Sequence, residues 1–108
     1  MFPVRHPEII TSLENITVLP FQNFNLSCLA LSLGVLTYDW NRYGGNLSQN
    51  AVKSYVHENF LNPLGSEATL VYNLALPDVQ LSDEGWYCCV ATNEGGSTTK
   101  CTWLEVNS

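Results

Sequence analysis

Apolar and polar residues alternate with a period of two in five short stretches of the chain. Phe24, Leu26 and Cys28 alternate with Asn25 and Ser27, and Tyr38 and Trp40 with Asp39 and Asn41. Leu70, Tyr72, Leu74 and Leu76 alternate with Val71, Asn73 and Ala75, and Tyr87, Cys89 and Ala91 with Cys88 and Val90. Leu104 and Val106 flank Glu105 near the end. Successive side chains of a strand point to opposite faces, so each stretch predicts a strand with one buried face. No window carries a long apolar stripe at helical spacing, and glycine and proline recur as turn punctuation between the stretches. Several short one-sided strands predict an all-β antiparallel sandwich or barrel. The segment from Ser48 to Glu67 is the least regular, with one or two short edge strands expected around Tyr55–Asn59.

Composition narrows the picture. The chain has 108 residues, room for one core and not two. Residues 1–7 are expected to form an N-terminal tail and 8–108 a single domain. Charged residues make up only 13%, with 4 basic and 10 acidic side chains and a net charge of −6. Phosphate contacts dominate nucleic-acid affinity, so so few cations exclude a nucleic-acid binder and fit anionic membranes poorly. No apolar run is long enough to cross a bilayer, and residues 1–7 lack the apolar centre of a secretion signal. Any membrane attachment is therefore expected through an anchor outside this sequence.

Asn, Ser and Thr take the place of the missing charge, at 28 of 108 residues. Asn15, Asn25 and Asn46 each open an N-x-[ST] sequon and are candidate glycan acceptors. Three sequons, 4 cysteines and low charge together predict an oxidising, extracellular setting, at a cell surface or secreted.

Cys28 is followed by Trp40, and later by Asp83-Glu84-Gly85-Trp86-Tyr87-Cys88-Cys89, which fits D-x-G-x-Y-x-C with Cys89 as the last residue. This combination resembles the immunoglobulin superfamily. Cys89-Val90-Ala91-Thr92-Asn93-Glu94-Gly95-Gly96, with Leu104-Glu105-Val106 closing the chain, is similar to the intermediate (I-set) immunoglobulin domains. So is Asn41–Leu47, which resembles their W-x-x-x-G-x-x-L turn. The resemblance implies a two-sheet sandwich pinned by a Cys28–Cys89 disulfide and covered by Trp40. It also implies a tyrosine corner, in which the Tyr87 hydroxyl returns to backbone upstream, with Asp83 in the preceding turn. Two features depart from variable-type domains. Thr99–Trp103 holds no glycine bulge, and no Lys or Arg lies between Lys53 and Asp83 to pair with that aspartate.

With Cys89 inward, neighbouring Cys88 faces outward. Taking Asn93–Gly96 as a four-residue hairpin loop pairs 92 with 97, 90 with 99 and 88 with 101. Cys88 and Cys101 then stand opposite each other at a disulfide-compatible distance, predicting a second, cross-strand bridge. The same register pairs Trp86 with Trp103, also outward. Exposed aromatic clusters often mark interfaces, so Trp86, Trp103 and Val90 are the candidate interface residues. Asn25 and Asn15 are expected to place sugars on the opposite sheet, and Asn46 on the rim, leaving the tryptophan face open. Any self-contact of this acidic chain should be apolar or use Arg42, Lys53 or Lys100.

His6 and His57 belong to no ligand-spaced cluster, and adjacent Cys88 and Cys89 do not fit a zinc pattern. Nothing in the sequence has the spacing of a nucleophile elbow, a phosphate loop or a catalytic acid pair, so no enzyme activity and no cofactor are expected. The expected function is recognition of a protein, on a cell surface, in solution or as a second copy, by a receptor or adhesion module. Two other readings stand beside it: a ligand-binding or spacer domain of a receptor kinase, phosphatase or immune receptor, and an intracellular muscle-type spacer.

Overall fold

The structure is a computed structural model describing residues 6–11, 14–32, 36–57 and 68–107, with the side chains of 55–57 and 68–70 excepted. Its strands are β1 (Glu8–Ile9), β2 (Ile16–Val18), β3 (Phe24–Ser32), β4 (Thr37–Arg42), β5 (Val52–His57), β6 (Ala68–Leu76), β7 (Gly85–Asn93) and β8 (Gly96–Val106). A 3-10 turn at Leu81–Asp83 joins β6 to β7. One sheet has the order β1-β3-β6-β5 and the other β2-β8-β7-β4. Every pairing is antiparallel except β2 with β8. Two antiparallel-rich sheets face to face make the expected sandwich.

The alternation in the sequence maps onto burial. Leu26, Cys28 and Ala30 of β3 are buried between exposed Asn25 and Ser27. Tyr38 and Trp40 of β4, Tyr72, Leu74 and Leu76 of β6, Tyr87, Cys89 and Ala91 of β7, and Leu104 and Val106 of β8 complete the inner faces. Polar links cross between the two sheets inside this layer. Trp40 Nε1 donates to the Tyr72 carbonyl at 3.1 Å. The Tyr38 hydroxyl receives the Ala30 N–H at 2.8 Å and donates to the Ala30 carbonyl at 3.3 Å. Buried polar atoms are costly without partners, and these bonds let Tyr38 and Trp40 fill the core with their polar ends satisfied.

The edge strand expected around Tyr55–Asn59 begins earlier, as β5 pairs along β6 from Val52↔Ala75 to His57↔Leu70. Residues 58–67 lie outside the described residues. The hairpin loop is tighter than expected: Asn93 pairs with Gly96, leaving Glu94 and Gly95 as the turn, and Asn93 Oδ1 accepts the Gly95 N–H. Removing one pair of residues from a loop symmetrically leaves the register unchanged. Residues 6–7, placed in the tail by the sequence reading, pack on the domain. Pro7 is fully buried and its carbonyl accepts the Thr98 hydroxyl.

Residues 8–18 divide between the sheets. β1 pairs with β3, whereas β2 pairs with β8 in the opposite sheet. The expectation that Asn15 belongs to the β3 sheet is thereby corrected: it precedes β2, on the edge of the sheet that carries the tryptophans.

Burial raises the pKa of the Tyr38 and Tyr87 phenols above the ordinary 10.0. At Tyr87 the charge of Asp83 adds to the effect and Arg42 opposes it, while at Tyr38 the Ala30 hydrogen bond opposes it. Unfolded tyrosines ionise near pH ~10, whereas these two hold their protons longer in the folded state. Their contribution is thus intact below that pH and lost as the pH rises through the folded values. Urea midpoints measured at rising pH should fall above pH ~10, and Tyr87→Phe should flatten that fall while lowering neutral-pH stability by about 1 kcal/mol. A slope unchanged in Tyr87→Phe would remove Tyr87 as a source of the alkaline loss.

Candidate binding face

Cys28 and Cys89 are bonded with Cα atoms 6.4 Å apart, and both are fully buried. Trp40 stands directly beside Cys89 in the β4–β7 register and is itself fully buried. The parity this imposes on β7 sends Trp86, Cys88 and Val90 to the outer face. Cys88 and Cys101 are bonded across β7 and β8 with Cα atoms 4.0 Å apart. The two bridges account for all four cysteines.

The register sorts the outer face of β4, β7 and β8 into rows. Thr37, Thr92 and Ser97 form one, Asp39, Val90 and Thr99 the next, and Asn41, Cys88 and Cys101 the third. The fourth is aromatic. Trp86 faces Trp103, with ring centroids 5.3 Å apart and planes at 68°, an edge-to-face contact. Tyr43 extends the row on the β4 side, its N–H donating to the Trp86 carbonyl at 3.0 Å. Trp86 is 43% and Tyr43 77% exposed, while Trp103 is half-buried. On the β8 side the row ends at Asn15, whose Oδ1 accepts the Trp103 N–H at 3.4 Å. Asn15, Asn25 and Asn46 are all exposed. Asn25 lies on β3 beside Ala75, and Asn46 in the turn after β4. A sugar on Asn15 would stand at the tryptophan face, not behind it.

The turn beneath this face is held by a residue that the sequence reading did not assign there. Asp83 is buried, and its carboxylate accepts the Gln80 N–H at 2.8 Å. The Tyr87 hydroxyl donates to the Asp83 carbonyl at 2.5 Å, the expected tyrosine corner. Arg42, from β4, reaches the same turn: Nη2 donates to the carbonyls of Ser82 at 2.7 Å and Glu84 at 2.8 Å. Its guanidinium lies 5.8 Å from the Tyr87 ring centroid, within cation–π range. Gly85 leaves it room, since a Cβ there would stand 3.4 Å from Nε and Nη2. The cation at this turn thus comes from β4, and binds backbone carbonyls rather than the carboxylate. No motif spacing signals it, because its acceptors are main-chain atoms some forty residues away.

Two of the three cations considered for self-contact are engaged within the domain. Arg42 holds the turn, and Lys53 Nζ pairs with Asp39 Oδ1 at 2.7 Å. The latter is a solvated surface pair, worth at most about 1 kcal/mol. Elsewhere, a shallow cleft of about 440 Å³ lies among Pro20, Phe21, Gln80, Leu81 and Ser82 at one end of the sandwich. Among the described residues no group of three His, Cys, Asp or Glu gathers as a metal site. The exposed tryptophan row is the most distinctive surface.

A family model described as an immunoglobulin domain matches residues 6–93. The chain belongs to the immunoglobulin domain family. It is 28% identical over 101 residues to the muscle M-line assembly protein unc-89 of Caenorhabditis elegans, covering 94% of this chain and 1% of that protein. It is 31% identical over 101 residues to hemicentin-1 of Mus musculus, covering 93% of this chain and 2% of that protein. The immunoglobulin domain thus spans only a small fraction of the length of either relative. A chimeric titin Z1Z2 structure superposes with a TM-score of 0.75 at 21% identity, covering 98% of each chain, and supports the fold. The matches are to immunoglobulin domains, a fold that serves structural and binding roles.

Substituting Arg42 tests the clamp. Arg42→Ala should lower stability by about 1.5–3 kcal/mol, the range for hydrogen bonds to a charged donor. Arg42→Lys should recover only part of it, because a shorter side chain ending in an ammonium lacks the planar guanidinium that lies by the Tyr87 ring. Denaturant midpoints read the difference, and an unaltered midpoint in Arg42→Ala would show that the turn holds itself.

Proposed function

We propose that this immunoglobulin domain is an extracellular recognition module that binds a protein partner through the outer face of β4, β7 and β8. The observation that carries the reading is the Cys88–Cys101 bridge, a second disulfide lying outside the core on an already paired hairpin. Disulfides persist in secreted and surface-exposed chains and are rare in the reducing cytosol. Exposure of all three sequon asparagines supports the same setting. The partner face follows from the row Tyr43, Trp86 and Trp103, with Val90 beyond the Cys88–Cys101 bridge: large aromatic side chains in solvent are the usual anchors of interfaces. Engagement of Arg42 and Lys53 within the domain favours an apolar contact over a charge-paired one. No catalytic step is assigned.

A second reading, an intracellular muscle-type spacer, is favoured by the likeness to the M-line protein and to titin. The two differ in thiol state. Chain-entropy arguments give about 4 kcal/mol for the 28–89 bridge and about 3 kcal/mol for the 88–101 bridge. A module working in the reduced state would forgo both.

Thiol titration of the protein taken from the cells that make it, alkylated at lysis, should find no reactive cysteine until a reductant is added. Free Cys88 and Cys101 would favour the spacer. Tetramers of the secreted chain should bind intact cells, with Trp86→Ser weakening binding roughly thirtyfold, as for an interface hot spot. Undiminished binding by Trp86→Ser would move the partner site off this face.

A further inference from the structure

The aromatic row ends at a sequon, and the two features meet in one place. Asn15 precedes β2, and among the described residues β2 ends its sheet with no strand outside it. The pairing Ile16↔Leu104 and Thr17↔Glu105 sets Asn15 beside Trp103. Thr17 and Glu105 point to the outer face together, their side chains hydrogen-bonded at 3.2 Å. Asn15 and Trp103 are each two residues back along their strands and therefore share that face. The Oδ1 of Asn15 accepts the Trp103 backbone N–H at 3.4 Å, which sets Asn15 against the Trp103 main chain at the edge of the sheet.

We propose that Asn15 carries an N-linked glycan whose first N-acetylglucosamine packs on the indole of Trp103. The inference rests on the extracellular reading above and divides the face it describes. Sugar covers the β8 end of the row, and Trp86, Tyr43 and Val90 remain for protein. The attachment is a group transfer from a lipid-linked oligosaccharide diphosphate. The Asn15 Nδ2–C1 bond forms as the bond from C1 to the diphosphate oxygen breaks. The diphosphate leaves with the bonding pair, and Nδ2 gives up one proton to the transferase.

The fit is chemical as well as positional. A pyranose shows one face made of C–H bonds, and an indole shows an electron-rich face, so the two attract while the sugar hydroxyls stay in water. A sugar ring is about as wide as the strand spacing of ~4.8 Å, so a sugar on Asn15, just before β2, has the reach to cover the neighbouring strand β8. Edge-to-face packing against Trp86 fixes the Trp103 ring, so the sugar meets a preordered surface. Asn25 has no such neighbour, since its cross-strand partners are Ala75 and, beyond it, Val52.

The test uses the secreted, glycosylated chain with Trp86→Phe. Trp40 is fully buried, so Trp103 then dominates the quenchable tryptophan fluorescence. Glycopeptide mass spectrometry reads occupancy at the three sequons. Acrylamide quenching is compared for the intact glycoprotein, the form trimmed to one N-acetylglucosamine, and the forms without sugar at Asn15, namely Asn15→Gln and Thr17→Val. Asn15 should be occupied. Quenching should be equally low in the intact and trimmed forms and rise in both variants, with Tm lower by on the order of 4 °C. Thr17→Val keeps Asn15 in place, so it separates loss of the sugar from loss of the side chain. An empty Asn15, or an occupied Asn15 with the same quenching in every form, overturns the proposal. If the secreted protein has both disulfides and sugar at Asn25 or Asn46, that failure leaves the extracellular reading standing. Free thiols and three empty sequons would remove both.

Discussion

The bond between Cys28 and Cys89 sets the orientation of everything on β7. A strand has two faces, and once Cys89 is committed to the core, Tyr87 and Ala91 must follow it and Trp86, Cys88 and Val90 must leave. A slip of one residue would bury the outward set and expose the tyrosine corner, so the register is strongly specified. β8 inherits that choice through the tight turn at Glu94-Gly95. The second disulfide and the tryptophan pair are both consequences of it, two residues apart on the same face.

The core and the outer face use aromatic residues differently. Inside, Trp40 and Tyr38 hand their polar atoms to backbone groups of the opposite sheet. These links tie the sheets together at points other than the disulfide. Outside, Trp86 and Trp103 meet edge to face, and their packing against each other leaves Trp86 43% exposed. Around this surface the chain sets mostly Thr, Ser and Asn, with the Asp39–Lys53 pair at its β4 side. Rows of Thr37, Thr92 and Ser97, and of Asp39, Val90 and Thr99, form the rest of the face.

What could be read from the sequence was what local rules determine. Alternation is a property of adjacent residues, so the inner faces of β3, β4, β6, β7 and β8 were legible. The β7–β8 register was legible too, because a symmetric loop of any even length centred between Glu94 and Gly95 gives the same pairs. Placement of Asn15 was not legible. β2 has three residues, and its partner in β8 lies 88 positions away, so nothing near Asn15 says which sheet receives it. Arg42 was missed for a related reason. It serves carbonyl oxygens, which every residue possesses, and those of Ser82 and Glu84 become acceptors only when the turn brings them together. The lack of a cation between Lys53 and Asp83 gave reason to doubt the usual pair. It did not signal that the turn would find another donor.

Relocating Asn15 changes how the surface is divided. With sugars confined to the β3 sheet, the entire tryptophan row would be offered to protein, and Trp86 and Trp103 would act as one anchor. With Asn15 at the β8 edge, the row has two ends of different character. Tyr43 and Trp86 lie toward β4, where Arg42 braces the turn below them, and Trp103 lies beside the sequon asparagine Asn15. An immobilised sugar would also stand at the β2 edge, where this sheet ends among the described residues. A partner that binds this face must then approach from the β4 side. Its contacts would centre on Trp86 and Val90, while the Cys88–Cys101 bridge between their rows holds the surface rigid.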